Sequence, residues 1–436
     1  MSIYNFISLL GIVCLVLLGW GLSSYRREVN WHVVVWGVGV QMFMAWFLFV
    51  FPWGTKFFLF LNDAVVKVLS CSMAGTKFIF GRLALPPGMT SEGGETSLGF
   101  ILAFQVFPAI IFFSALMAIL YYYNIIPRVI KAFAGVFTKL MKVSGAESLC
   151  AASNIFVGVE SALTIRPFLR GMTRSELCTV LTAGMATVSS NILALYVFSL
   201  REVFPNIAGH LISASFLSAP AALMMSKLLL PEVDRPVTLG ENIDLALPQD
   251  KSLFEAIIKG ANDGARLIVG IAALLIAVLG LVALVDQGVL LVGHKINILF
   301  HFEFDWSVKS LLGIIFYPFT VILGMPLSDA GYMSKIIGER LILTEVASYQ
   351  DLAKVIASGV LVNPRSAVLT TYALCGFAHL ASMAIFVGGI SSLVPEITKE
   401  LTQVAWRALL AATLACLMTA CVAGVFFVDG SLLLGK

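Results

Sequence analysis

The sequence predicts an all-α polytopic membrane protein with eight transmembrane helices, two re-entrant hairpins in inverted-topology repeats, and interfacial amphipathic helices. Of its 436 residues, 59% are hydrophobic and 12% are charged, which is too apolar for one soluble core. Eight apolar runs reach the ~20 residues that a helix needs to cross a bilayer. Two further stretches repeat one pattern but are interrupted by polar residues. These three observations define the fold class.

The predicted spans follow one another along the whole chain. They are residues 3–23, 32–53, 99–124, 178–200, 207–230, 267–293, 366–393 and 408–428. Apolar residues recur at helical spacing around scattered charges in 54–83 and 127–142, which predicts amphipathic helices that lie in the membrane interface. Prolines and glycines predict a loop at 85–97.

Lysine and arginine residues beside the spans predict the orientation, because cytoplasmic loops carry an excess of them. Such residues follow the first and third spans: Arg26, Arg27, Arg128, Lys131, Lys139 and Lys142. These two loops are therefore predicted to be cytoplasmic. By alternation, the N-terminus and the C-terminus are both predicted to lie outside.

The repeated pattern covers residues 144–190 and 326–382. Each copy opens on an acid, Glu147 or Asp329, reaches a second glutamate in an apolar setting, and ends in a run that contains Val-Leu-Thr. The segments 145–170 and 328–352 have halves of about a dozen residues, too short to cross, and are predicted to be re-entrant hairpins. The topology inverts the second copy. Inverted repeats with broken hairpins are the layout of secondary transporters.

Glu160 and Glu345 are the second glutamates of the two copies. An ionised carboxylate near the bilayer centre costs roughly 2.5 to 3.5 kcal/mol, so both need partners. Each could cap its own hairpin or pair with an arginine such as Arg340. Because the two recur at equivalent places, we favour a polar ligand held in a shared cavity.

Polar residues also interrupt the predicted spans that follow each hairpin. His379 and Ser382 are three residues apart and would share one face of a helix. Thr187 and Ser189 could supply hydroxyl oxygens, which suit a sodium ion, with Asn154 and the carbonyl of Val157 facing them from the first hairpin. The alternative for Thr187 and Ser189 is close packing of small residues between helices.

Several motifs together resemble the concentrative nucleoside transporter family from about residue 102 to the last span. In chain order they read FPAIIFFSALMAILYYY, NIFVG followed by a glutamate and IRPFL, MTRSEL, TEV and TYALCGFAHLAS. The resemblance implies a homotrimer in a lipid bilayer. Residues 1–126 and a long helix at 252–295 would form a scaffold. Residues 127–230 and 306–428, each with its hairpin, would form a transport domain.

The resemblance also implies site residues. Those for the solute are Val159, Glu160, Glu345, Phe377, His379 and Ser382, and those for sodium are Asn154, Val157, Thr187 and Val188. The family reads the nucleobase with the first hairpin, where Val159 replaces a glutamine and threonine. It reads the ribose with the second hairpin and the helix that follows, where His379 replaces an asparagine. A site that has lost amides should discriminate less between solutes.

We therefore predict a sodium-coupled symporter that imports nucleosides or nucleoside-like solutes across a bacterial inner membrane. Two alternatives stay open: coupling to protons through a glutamate or His379, and a non-transporting receptor or gate protein on the same fold. The chain contains no HExxH or GxSxG motif and no plausible pair of nucleophile and base, so we do not expect an enzyme. The net charge of +3 is spread out, which argues against nucleic acid as a partner.

Overall fold

The computed structural model describes residues 2–86, 88–90, 94–245, 250–301 and 303–428. Within these ranges the secondary structure is helical apart from isolated β-bridges. The α-helices are α1 (Ile3–Gly21), α2 (Trp31–Phe49), α3 (Pro52–Phe80), α4 (Leu102–Gln105), α5 (Phe107–Tyr122), α6 (Ile125–Met141), α7 (Gly145–Asn154), α8 (Arg174–Ala186), α9 (Ser190–Leu200), α10 (Ile207–Leu229), α11 (Leu253–Phe300), α12 (Val308–Ile322), α13 (Leu327–Glu339), α14 (Glu345–Ala357), α15 (Pro364–Leu374), α16 (Leu380–Leu393) and α17 (Thr398–Phe426). Three 3-10 helices add Gly81–Ala84, Val159–Gly171 and Pro395–Ile397.

Seven helical segments of the described chain are long and apolar enough to cross a membrane. Six overlap predicted spans, and two of these, Leu253–Phe300 and Pro395–Phe426, are longer than predicted. The seventh, Pro52–Ala84, contains α3, for which length and composition also fit a span, so its interfacial position stays a prediction. The predicted spans 178–200 and 366–393 are not continuous helices: the first divides into α8 and α9, and the second into α15 and α16.

One order of elements occurs twice. A lead-in helix, a short helix, a turn and a second short piece are followed by a broken helix and then a long one. The first copy runs from α6 to α10, and the second from α12 to α17. The structure thus contains the twofold repetition that the sequence predicts. That each hairpin enters and leaves the membrane on the same side stays a prediction.

The last helices of the two copies form the centre of the molecule. In α10 and in the segment that contains α17, 89% of the apolar 18-residue stretch is buried inside the protein. These two helices pack against each other and against α8. By contrast, none of the apolar 18-residue stretch of the 48-residue α11 is buried. The chain therefore has a closed core of repeat helices and one long, exposed apolar helix.

The acids that open the two copies hold the hairpins in place. Glu147 accepts a hydrogen bond from the Ser144 amide at 2.8 Å, closing a capping box on α7, and lies 2.9 Å from the buried Lys227 of α10. Asp329 accepts from the Val362 and Asn363 amides, both at 3.1 Å. Capping of this kind satisfies amides that a helix end leaves free. Both acids are therefore structural.

Candidate solute and cation sites at the broken helices

Each hairpin turn is bonded to the broken helix that follows it, in the same way in both copies. The Ser190 amide, at the start of α9, donates to the carbonyl of Phe156 at 3.1 Å. The Leu380 amide, at the start of α16, donates to the carbonyl of Leu341, also at 3.1 Å. In each copy the turn carbonyl satisfies the first amide of the second half-helix, an amide without a partner inside its own helix.

The two breaks lie against each other in the core. Gly376, between α15 and α16, has a φ of +132°, and a Cβ atom there would lie 2.7 Å from the carbonyl oxygen of Ala186 at the end of α8. The thiol of Cys416 on α17 donates to the Cys375 carbonyl at 3.0 Å. Helix ends, exposed backbone groups and small residues therefore converge at one place, which is the arrangement that transporters use for solute and ion.

Glu345 is the centre of a buried polar cluster. It is the first residue of α14, behind the N-cap Thr344, where the helix dipole favours a negative charge. Its Oε1 accepts from the Tyr196 hydroxyl at 2.8 Å, and its Oε2 lies 2.7 Å from His379 Nε2. The cluster joins the second hairpin, the second break and α9 of the first copy.

His379 and Ser382 are placed together, but not as two residues on one helical face. His379 precedes α16 as its N-cap, with an extended backbone. Its Nδ1 accepts from the Ser382 amide at 3.2 Å, so Nε2 carries the ring proton that faces Glu345. The Ser382 hydroxyl donates to the carbonyls of Phe377 and His379. The shared-face prediction is corrected to a cap.

The other residues predicted for this part of the site have separate places. The Phe377 side chain is buried beside the second break. The Arg340 guanidinium donates to the carbonyl of Ala373, and the carboxylate of Glu345 is engaged by Tyr196 and His379 instead. The alternative in which Arg340 neutralises that glutamate is therefore not the arrangement found.

Glu160 lies in a different setting. It is exposed, in the first turn of the 3-10 helix Val159–Gly171, and lines a cavity of about 640 Å³ together with Val157 and Tyr121. Glu345 and His379 are not among the residues that line this cavity, so it is not a cavity that the two glutamates share. The side chain of Val159 lies outside the described part of the chain.

The residues predicted for sodium surround the first turn and the first break. Asn154 is fully buried at the end of α7; its amide nitrogen donates to the Cys150 carbonyl at 3.0 Å, whereas its Oδ1 has no hydrogen-bond partner among the described residues. The Thr187 hydroxyl and the Val188 carbonyl belong to the break, and the Val157 carbonyl to the turn. A fully buried amide oxygen without a hydrogen-bond partner is a candidate ligand for a cation.

Tyr196 belongs to the buried Glu345 cluster, and the sequence analysis missed it. Its ring lies 4.5 Å from that of Tyr349, centroid to centroid, and the Tyr349 hydroxyl donates to the Thr371 carbonyl at 2.9 Å. The available signal was the one tyrosine inside the apolar run of α9. Nothing in the local pattern pairs it with Glu345, which is 149 positions away.

Paired hairpin turns that dock on broken helices around buried polar groups define a class, that of the secondary membrane transporters. Family models described as the Na+ dependent nucleoside transporter C-terminus and N-terminus match residues 210–424 and 10–83, and one described as Gate, nucleoside recognition, matches 103–202. The nucleoside permease NupC of Helicobacter pylori is 33% identical over 96% of this chain and 97% of its own length. The chain belongs to the Na+-dependent nucleoside transporter family.

Other relatives agree with this. Mouse solute carrier family 28 member 3 is 32% identical over 97% of the chain, which spans 59% of that protein; rat sodium/nucleoside cotransporter 1 is 33% identical, and the chain spans 64% of it. The structure of CNTnw in an inward-facing substrate-bound state superposes with a TM-score of 0.85 and 31% identity, covering 97% of this chain and 98% of that one. A CNTnw variant in an outward-facing state gives the same TM-score.

These similarities confirm two predictions, the family and the helical membrane-protein fold. The family and its structural neighbours are transporters, so the prediction that the chain is not an enzyme is confirmed as well.

Proposed function

We propose that the chain is a sodium-coupled symporter that imports nucleosides or nucleoside-like solutes. The observation that carries the coupling is the buried Oδ1 of Asn154, which has no partner among the described residues. A buried amide oxygen without a hydrogen bond costs about 1–3 kcal/mol, and a bound cation would remove that cost. Val157, Thr187 and Val188 would supply the remaining oxygens.

The solute would bind between the hairpins, in a conformation of the transport cycle that joins the Glu160 cavity to the Glu345 cluster. Glu160 would accept hydrogen bonds from the base, and Glu345, His379 and Ser382 would contact the sugar. Phe377 would pack against the ligand. Val159 would give the base fewer polar contacts than the glutamine that stands at this place in the family. In support, the Glu345 cluster lies at the meeting point of both copies. Membership of the nucleoside transporter family favours this function over a non-transporting receptor.

The sodium site is tested by thermal denaturation of the purified full chain in detergent. Sodium chloride, but not choline chloride, should raise the melting temperature of the parent, because a ligand that binds only the folded state stabilises it. Asn154→Ala should abolish the shift. The matched control is Ser153→Ala, which removes a neighbouring hydroxyl bonded to its own helix. A sodium shift that persists in Asn154→Ala would contradict the proposed site.

Proton coupling is the second candidate, and the contact between His379 and Glu345 favours it. A further proton on His379 would have to enter at Nδ1, which now caps α16. Protonation would therefore be linked to release of that cap. A pH jump across vesicles without sodium separates the two candidates: it drives uptake only if protons are the coupling ions.

Assembly and location are part of the proposal. We place the chain as a homotrimer in a bacterial inner membrane, with both termini outside. The exposed apolar surface of α11 supports contact with lipid or with other copies. The small solute, the bilayer and further copies of the chain are the only partners proposed.

A further inference from the structure

We infer that His379 is a specificity-determining residue, and that it makes this transporter nearly indifferent to the loss of sugar hydroxyl groups from its solute. The inference rests on the proposed function, because it takes the Glu345 cluster as the sugar-binding part of the site. It concerns the ligand class: deoxynucleosides and dideoxynucleosides should bind almost as well as ribonucleosides.

The first step is the state of the Glu345 carboxylate. Each of its oxygens already faces a protein donor: Oε1 faces the Tyr196 hydroxyl at 2.8 Å, and Oε2 faces His379 Nε2 at 2.7 Å. The side chain is 5% exposed. A donor group of the protein therefore lies beside each oxygen of this buried carboxylate.

The second step is the state of the donors. His379 uses Nε2 toward Glu345 and Nδ1 toward the Ser382 amide. The Ser382 hydroxyl donates to the carbonyls of Phe377 and His379. Tyr196 uses its proton on Glu345. These three side chains keep no free N–H or O–H for a ligand, and a ligand hydroxyl can only add to spare lone pairs of the carboxylate.

The third step is the consequence for selectivity. A site built to hydrogen-bond a hydroxyl rejects an analogue without it by about 10⁴ to 10⁵, because the analogue leaves buried polar groups unpaired. Here a missing hydroxyl leaves Glu345 with both of its protein donors. The binding ratio between a ribonucleoside and its dideoxy analogue should therefore stay below about tenfold.

The variant His379→Asn tests the role of the imidazole. The shorter amide would leave Oε2 without its donor, so that a ligand hydroxyl becomes the group that completes the carboxylate. The ratio of uridine to 2′,3′-dideoxyuridine affinity should rise at least about fivefold, the equivalent of one buried hydrogen bond. Tyr196→Phe removes the donor to Oε1 and should change the ratio in the same direction. It therefore tests the inference even if His379→Asn does not fold.

The experiment measures dissociation constants of uridine, 2′-deoxyuridine, 3′-deoxyuridine and 2′,3′-dideoxyuridine for the full chain in lipid nanodiscs. Tyr372→Phe is the matched control, because it removes a buried hydroxyl that contacts His210 instead of Glu345; its ratios should equal those of the parent. Parent ratios above about tenfold, or unchanged ratios in both site variants, would overturn this inference and leave the proposed function standing. Failure of all four ligands to bind would overturn the proposed function together with it.

Discussion

At the scale of single residues, the candidate site is a set of side chains whose hydrogen-bonding roles are set by their neighbours. The Ser382 amide holds His379 Nδ1 as an acceptor, and this directs the other ring nitrogen, as a donor, to Glu345. An acid, an imidazole and the phenol of Tyr196 thus form one unit. Replacement of any one of them changes the hydrogen bonding of the others.

Glu345→Gln is expected to weaken solute binding roughly tenfold or more and to lower the melting temperature. The glutamine oxygen can still accept from Tyr196, but its amide N–H then faces His379 Nε2–H, so two donors meet. A buried donor without an acceptor costs about 1–3 kcal/mol. The measurements are uridine binding and thermal denaturation of the purified chain.

The control for that variant is Glu396→Gln, because Glu396 forms a surface pair with Arg170 and its side chain is 58% exposed. It should behave as the parent does. If Glu345→Gln bound all nucleosides as tightly as the parent, Glu345 would not belong to the solute site.

The residues of the site differ in how far the sequence predicts them. Glu345, His379 and Ser382 were predicted because polar residues stand out in apolar runs, and the structure brings them together. Tyr196 was missed because its contact joins two copies of the repeat. Glu160 was predicted but lines an open cavity apart from Glu345. Local patterns identify polar interruptions, whereas contacts between the copies depend on tertiary packing.

At the scale of elements, the breaks between half-helices are the parts that the fold cannot change freely. Gly376 is the clearest case, because its positive φ disfavours any side chain and the carbonyl of Ala186 occupies the space for a Cβ. The sequence predicted a polar interruption in this run. It did not predict that α15 ends before His379 and that α16 begins after it.

Gly376→Ala is expected to lower the melting temperature clearly and to reduce uptake, since the new methyl group would force the two breaks apart. Its control is Gly388→Ala in α16, where a Cβ meets nothing within 4 Å; alanine there should be neutral or slightly stabilising. The readouts are thermal denaturation and radiolabelled uridine uptake. Equal stability of both variants would show that the close approach of the breaks is not required.

The buried ion pair between the first hairpin and α10 permits a second test at this scale. Lys227→Met would leave the carboxylate of Glu147 buried and unpaired. Breaking a buried pair in this way costs about 3–5 kcal/mol, so the melting temperature should fall strongly. Lys131→Met is the control, because its pair with Asp244 is exposed on both sides and is worth about 0–1 kcal/mol. Similar melting temperatures for the two variants would contradict the anchoring role of Lys227.

At the scale of the whole molecule, the twofold repetition explains why the sequence predicted so much of the fold. Six of the seven candidate spans, both turns and the first lead-in helix, α6, follow from apolar run lengths, from helical spacing and from the position of prolines, glycines and acids. For the long continuous α11, apolar run length predicts only the middle, residues 267–293, because the ends are more polar, whereas the family resemblance implies a long helix at 252–295.

The proposed homotrimer can be tested at the exposed apolar surface of α11. Native mass spectrometry of the chain extracted in a mild detergent should show a trimer. Replacement of the exposed Ile276, Leu284 and Leu291 by serine should shift the population toward the monomer, since these side chains are 77%, 65% and 71% exposed in the single chain. A monomer as the only species in the parent would contradict the proposed assembly.

The most direct test of the central claim is uptake of radiolabelled uridine and adenosine into proteoliposomes that contain the full chain. With an inward sodium gradient, we predict accumulation above the external concentration. This accumulation should collapse when a sodium ionophore removes the gradient and should be absent from Asn154→Ala. Uptake that responds to neither a sodium gradient nor a proton gradient would contradict coupled transport.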